Sequence, residues 1–529
     1  MKHWTRALCC ALGLLLAGTA VRAEQQPQLS LDKGRGLLLQ DAQGRELDRL
    51  ALRAKRWDRR GDLALLQDAD SGELRLLRAA GGRLRPEGRW AGPGFAVEQL
   101  CLFRDGQDLL HVFLLGEDGR SEQWLLHEGR ARPERLLATP PEPGACRVRD
   151  GEARLYIAEP GVGLWAYEAD AEREGRRLIA HAPQVDAAAL VRRLDDWLAA
   201  HPAPAAAPAL PLLAPSAQTR PMRSQGDAAD DPAIWVHGRR PAASLILGTD
   251  KKRGLAVYDL QGRERQFLPV GRVNNVDLRQ GLRYGGARRL DLAVASQRDE
   301  AGLVLFGIGA EGRVTELARL PTGLDEIYGL CVGRNEVGGL DIFPNDKDGR
   351  VLQLRLRRMG AVWRTERLRE IRLASQPEGC VVDEAQGLLF VGEEKRGVWR
   401  LALGDPRAEP ALAVPLGPTL AADVEGLAIY AGRQGRYLLV SSQGSDSYAL
   451  FDAAPPHAPR GAFRIGIHAR LGIDGASETD GLELTAANLG GVYARGLLVV
   501  QDGRKRLPQG PQNFKLLPWR AVAEALDLP

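Results

Sequence analysis

The chain has 529 residues, with 72 Lys and Arg against 68 Asp and Glu, and a formal charge of +4. At a prior of roughly 150 residues per domain, that is too long for one ordinary domain. The charges are mixed throughout, with no basic block or aromatic-basic stripe, which argues against a nucleic-acid partner.

In chain order, residues 1–23 combine a basic start, an apolar run over 7–17 and a small-x-small ending at Val21-Arg22-Ala23. They read as a secretory signal peptide cut after Ala23. The run is shorter than the ~20 residues that span a bilayer, and no later stretch is apolar enough to do so. The expectation is an exported protein, periplasmic or secreted, with no membrane partner. Cleavage leaves Cys101, Cys146, Cys331 and Cys380, with no CxxC pair to suggest zinc.

From residue 24 onward the pattern is short. Runs such as "LAVYDL", "LDLAVAS", "LLFVGEE" and "YLLVSSQ" are separated by "QG", "EG", "DG" and "GG" turns. That is strand chemistry with hairpin turns. Helical pattern is confined to 185–200 and 519–526. Between them "HPAPAAAPALPLLAPSAQ" alternates Pro and Ala, an extended spacer over 203–220. The class is all-β. Residues 221–529 suit a six-bladed β-propeller at about 50 residues per blade, and residues 24–202 an incomplete, degenerate propeller-like domain.

The two parts echo each other. "LDKGRGLLLQDAQGRE" (31–46) matches "TDKKRGLAVYDLQGRE" (249–264) at ten of sixteen positions. Three more segments, beginning at 61, 100 and 146, line up with 290, 330 and 380 in the same order. Because Cys101 and Cys146 align with Cys331 and Cys380, bridges Cys101–Cys146 and Cys331–Cys380 between adjacent blades are expected, the alternative being four small buried hydrophobes.

Residues 221–529 also concentrate carboxylates beside Gly and Pro: Asp230-Asp231-Pro232, Asp348-Gly349, Glu378-Gly379, Glu393-Glu394, Asp423-Val424-Glu425-Gly426, Asp474-Gly475 and Asp480-Gly481. Singly each reads as a turn or a solvated edge. Recurring once per blade at strand-loop junctions, they would converge on one end of a central channel. Their mutual repulsion there calls for cations, and oxygen-only ligands suit calcium or magnesium. Lys251, Arg298 and Lys347 lie among them and suit an anionic substrate with several phosphates. No histidine or cysteine phosphatase loop and no GxSxG elbow is present, which leaves metal-activated water as the simplest hydrolytic chemistry.

The ordered blocks "DAADDPAIW", "DKKRGLAVYDLQG", "NNVDLR", "DEIYG", "PEGCVVDE", "DVEGLAIY", "SSQGSDSYALFD", "ETDGLEL", "QDGR" and "QNFKLLPW" resemble the β-propeller phytases over nearly all of 224–520. The resemblance implies calcium-dependent hydrolysis of phytate, taken as its calcium salt, by a 3-phytase-like enzyme expected to be a monomer. It implies catalytic calcium ligands at Asp348, Glu378, Glu394, Asp423, Glu425 and Asp480, with Tyr328 in the same mouth. Lys251, Arg298 and Lys347 would hold phosphate oxygens. Asp231, the Val276 carbonyl and Asp474 would hold structural calcium. The sequence departs from the family pattern at Asp348, Glu478 and Gln297, where Glu, Asp and Asn are usual. A metal-dependent propeller lactonase or esterase, which predicts fewer carboxylates and no need for Lys251, Arg298 and Lys347 together, and a calcium-stabilised binding propeller with the acidic mouth as its ligand surface are the competing readings. The first copy keeps Lys33 opposite Lys251 but has Ala69, Glu98, Glu117, Gly144 and Pro160 opposite Arg298, Tyr328, Lys347, Glu378 and Glu394. It is expected to lack the activity.

Overall fold

Alternating Leu, Val and Ile in runs of five to eight residues can bury one edge of each strand only by pairing sideways and then stacking sheets face to face. Residues 221–529 do this six times. Each sheet is an antiparallel meander, for example Ala229–Trp235, Leu245–Asp250, Gly254–Asp259 and Glu264–Leu268 in the first blade. The computed structural model describes residues 27–203, 209–285, 289–433 and 435–529, so the expected signal peptide lies outside the described residues. The innermost strands are Ala229–Trp235, Val273–Leu282, Ile327–Arg334, Pro377–Asp383, Val424–Gly432 and Leu482–Thr485. Each contacts the next, and the sixth contacts the first, so the ring is closed. The core lies between blades, as in the cluster that joins Val257 and Leu247 of the first blade to Ala293 and Phe306 of the second.

The Pro/Ala spacer is more than a spacer. The C-terminal segment supplies only three strands to the sixth blade, which leaves an open edge. Ala217–Gln218 pairs antiparallel with Asn513–Pro518 and fills it. Leu212–Leu213 runs parallel to Pro459–Ile465 and adds a fifth strand to the fifth blade. Unpaired edge groups are costly and sticky, so the entering chain serves as the seam of the ring.

The chain divides into two compact units, Met1–Ala91 and Gly92–Pro529. Within the first, Gln28–Asp32, Gly36–Gln40 and Glu46–Leu50 form a three-stranded sheet, and Ala54–Arg60 begins a four-stranded one. The second unit holds the other two sheets of the first copy, starting at Val97 and Ala145, together with the six-bladed ring. The helix runs over Ala187–Ala200 because Asp186 caps it, accepting from Ala189 N at 2.8 Å. It packs Leu190 and Leu194, both fully buried, onto Tyr156, Leu164 and Ala166 of the last blade of the first copy. The C-terminal helix is Trp519–Ala525.

Duplication extends to side-chain detail. Gln123 Oε1 accepts from Arg135 Nε at 2.8 Å, and Gln353 Oε1 from Arg369 Nε at 2.8 Å. Trp165 Nε1 donates to Glu159, and Trp399 Nε1 to Glu393. Cys101 is joined to Cys146 and Cys331 to Cys380, each bridge linking inner strands of neighbouring blades. With sequence separations of 45 and 49 between the joined positions, each loop is long enough for chain entropy to make its closure worth about 4 kcal/mol. Cys331→Ser with Cys380→Ser is expected to cost about 2–4 kcal/mol in denaturant unfolding; unchanged stability would show the bridge to be idle.

Candidate functional site

The carboxylates beside glycine are not hairpin corners. Asp230, Asn274, Tyr328, Glu378 and Glu425 each stand second in their inner strand, and Asp480 just precedes the sixth. In the first five strands the ladder skips a residue pair at this level, for instance between Pro377 and Cys380 and between Val424 and Leu427. Such a bulge re-aims side chains, here towards one end of the ring, where one position per blade forms an inner circle.

The following glycines let the circle close. A Cβ on Gly329 would lie 2.0 Å from the Glu378 carbonyl oxygen, and one on Gly379 would lie 2.1 Å from that of Glu425. A Cβ on Gly481 would meet Asp231 Oδ1 at 2.3 Å. At these glycines one inner strand passes its neighbour too closely for any side chain. The Glu-Gly and Asp-Gly pairs place an acid on the circle and a gap beside it.

A second circle surrounds the first. Lys251, Arg298, Lys347, Glu394 and Gln443 each directly follow the second strand of their blade. The backbone confirms their equivalence: the N–H groups of Lys251, Arg298, Glu394 and Gln443 bond the carbonyls of Ala228, Arg272, Gln376 and Asp423, each two residues before the inner-circle position. Lys251 Nζ reaches inward to Asp227 and Asp480 at 2.9 Å and to Asp230 at 3.2 Å. Gln443 Nε2 donates to Asp480 Oδ1 at 2.6 Å, and Asn274 Nδ2 to Glu378 Oε1 at 3.0 Å. Arg298 and Lys347 lie over the Tyr328 ring, 5.4 and 4.7 Å from its centroid. These distances suit cation–π attraction.

The inner circle carries Asp230, Glu378, Glu425 and Asp480 against the single cation of Lys251. Asp230 is fully buried; its Oδ1 has no donor, and its Oδ2 is met by the Lys251 ammonium at 3.2 Å. Glu425 Oε2 is likewise buried without a donor. Burial pushes the Asp230 carboxyl well above the usual range, and Lys251 offsets this only in part. Burial and the neighbouring Glu425 do the same to Glu378, and burial pushes Glu425 up to about 8. Burial disfavours the Lys251 ammonium, but Asp230, Asp480 and Asp227 outweigh it and hold the proton on. Burying like charges together is unfavourable unless something neutralises them. One oxygen each from Glu378, Glu394 and Glu425 lies within 4.8 Å of the others. This all-oxygen donor set fits a hard divalent cation.

The family model described as Phytase matches residues 186–528. A 3-phytase of Bacillus subtilis (strain 168) is 35% identical over 324 residues, covering 58% of this chain and 84% of that protein. The chain belongs to the β-propeller phytase family. It is a phytase, a hydrolase acting on phytate.

In this phytase not every expected residue reaches the mouth. Asp348 lies one position past the outer circle, so its side chain turns away. It accepts from Arg350 N at 3.0 Å and pairs with Arg350 Nε at 2.9 Å and Arg372 at 3.3 Å. The structure does not bring it to the acidic cluster. Asp423 pairs with Lys395, and Glu394 accepts from Gln376. Asp231 Oδ2 takes the N–H of Val276 at 3.1 Å, so these two residues do meet. Asp474 is apart from both circles, its Oδ1 held 2.6 Å from the buried Lys515 Nζ. The residue-by-residue reading gave Asp230 no role beyond the general run of carboxylates and missed Asn274 and Gln443. The signal that finds them is positional: second in an inner strand, or first after a second strand. It also missed a buried chain farther along the inner strands, where Arg279 bonds Asp277 at 2.9 Å and Glu384 at 2.7 Å. Near it, burial and then Asp277 push Glu483 up to about 8.

Proposed function

We propose that this phytase hydrolyses phosphate monoesters of myo-inositol hexakisphosphate by attack of water, with several calcium ions held at the mouth, releasing inorganic phosphate and lower inositol phosphates. The observation that carries the reading is Asp230, sealed from solvent beside Glu378, Glu425 and Asp480 with Oδ1 undonated and Lys251 at Oδ2 as a single cation against four acids. Asp230, Glu378, Glu394, Asp423, Glu425 and Asp480 are the residues that would hold the ions. When bound, hard divalent cations neutralise phosphate charge and make water a stronger acid. Arg298 and Lys347, braced on the Tyr328 ring, would grip phosphate oxygens, and Lys251 would balance the inner acids. A pair of gripping cations set apart from the acidic circle suits a substrate with neighbouring phosphates, one cleaved and one held. Asp231 with Val276, and Asp474, are proposed as sites of structural calcium.

The reading extends to an exported, monomeric enzyme working on the calcium salt of phytate. Two disulfides support an oxidising compartment, and no described helix is long and apolar enough to cross a membrane. The test is phosphate release from phytate by the full chain in saturating calcium and after exhaustive chelation. Activity is expected to fall by at least about 100-fold on chelation and to return with calcium, since the metal supplies the main charge stabilisation. Equal rates in both conditions would overturn the calcium assignment.

A further inference from the structure

The blades of the first copy that lie in the second compact unit grip one loop of the catalytic ring. Gln107 Nε2 donates to the Ile467 carbonyl at 3.1 Å, while its Oε1 accepts from Ile467 N at 2.6 Å. Arg132 donates to the carbonyls of Ala469 and Arg470. Leu125, fully buried, packs with Ala469 and Leu507. Glu172, also buried, accepts from Ser477 Oγ at 2.8 Å. The gripped loop, residues 466–479, leads from the last strand of the fifth blade directly into Asp480 of the inner circle.

The contact has a defined route to the mouth. Ser477 stands three residues before Asp480, and its carbonyl accepts from Gly503 N at 2.8 Å. Glu478, at φ 45°, donates its N–H to Asp446 Oδ1 at 2.8 Å. Asp446 closes the short turn that begins at Gln443, whose side chain holds Asp480 at 2.6 Å. Arg173, next to Glu172, approaches the same Asp446 at 3.9 Å, a half-exposed and weak pair. Two consecutive residues of the first copy thus touch both segments that fix Asp480. Of the two contacts, the Glu172–Ser477 bond is the shorter and is shielded from water, so it is the one that orients them.

The second copy has no such residues. At the offset of 230 that aligns 100 with 330, Gln107 faces Val337; at the offset of 234 that aligns 146 with 380, Glu172 faces Pro406. Neither Val337 nor Pro406 can make these bonds. The copy that lost the Arg298, Lys347, Tyr328 and Glu378 equivalents carries side chains that hold the other copy's loop.

We propose that Glu172 is a positioning residue for hydrolysis: from the first copy it orients Ser477 and so holds Asp480 on the inner circle. This rests on the reading of the circle as the reacting site. The test compares Glu172→Ala, Glu172→Gln, Ser477→Ala and the control Glu174→Ala in the full chain. Glu174 pairs with Arg506 at 2.5 Å at the exposed edge of the same junction, away from Ser477. Glu172→Ala is expected to lower kcat on phytate about ten-fold, as loss of a supporting hydrogen bond does at metal sites, with KM within about two-fold. It should also shrink the melting-temperature gain produced by calcium alone. Glu172→Gln, which keeps an acceptor, restores most of both. Ser477→Ala reproduces the loss, and the double variant loses no more than either single one. Glu174→Ala leaves kcat within about two-fold. Wild-type kinetics in Glu172→Ala, or equal kcat losses in Glu172→Ala and Glu174→Ala that follow their melting temperatures, would overturn the proposal. Chelation-insensitive phosphate release by the parent chain would instead strike the calcium reading, while the Glu172 kinetics could still be read.

Discussion

Glu425→Gln is expected to lower kcat/KM on phytate by roughly 10²–10³-fold, the size of effect seen when one preorganised charge-stabilising group is removed from a water-poor site. Glutamine keeps the shape and loses the charge, and Glu425 is one of three acids whose oxygens gather within 4.8 Å. Stability should move in opposite directions with and without metal. In chelator the variant should melt higher than the parent, because the cost of burying or protonating this acid near Asp480, Glu394 and Asp230 is gone. In saturating calcium the parent should melt higher, because an ion at 100 times its dissociation constant adds about 2.7 kcal/mol to the state that binds it. Two melting curves for each protein check this. If the order of the two proteins were the same in both conditions, Glu425 would not be a calcium ligand.

Gly379→Ala is expected to be among the most damaging methyl additions in the ring. The new Cβ would sit 2.1 Å from the Glu425 carbonyl oxygen and 2.8 Å from its carbon, both backbone atoms that no rotamer change can move. Separating the fourth and fifth inner strands should cost about 3 kcal/mol or more, at the upper end of overpacking penalties. It should also abolish most phosphate release, because Glu378 and Glu425 flank the contact. Gly404→Ala, with nothing within 4 Å of the added atom, is the matched control and should be neutral within about 0.5 kcal/mol. Circular dichroism melts and a phosphate assay on the two variants suffice. A stable, active Gly379→Ala protein would mean that the blades do not close as described.

The strands were legible because their chemistry is local. "LAVYDLQGRE" states both a buried run and a turn, and the ten-of-sixteen echo at 31–46 repeats the statement. The helices were legible too, though the cap on Asp186 moved the first start to Ala187. The cysteine pairs followed from duplication and stand joined between neighbouring blades. Other features depended on partners distant in the chain. The spacer residues Leu212–Leu213 and Ala217–Gln218 become strands only because Pro459–Ile465 and Asn513–Pro518 arrive with open edges. Asp348 and Glu378 look alike on paper, each an acid before glycine. One stands past the outer circle facing Arg350 and Arg372, and the other stands second in an inner strand.

By itself the sequence determined the class of structure, the number of blades, the doubling of the chain and the supply of acids and cations, since each of these is written in neighbouring residues. Only the tertiary structure decided which acids share a space. That depends on bulges at one level of five inner strands and on glycines that let adjacent strands come within contact distance. It also disclosed the bond from Glu172 to Ser477, between residues about three hundred positions apart, because the burial that makes such a bond worth forming exists only once both copies have folded.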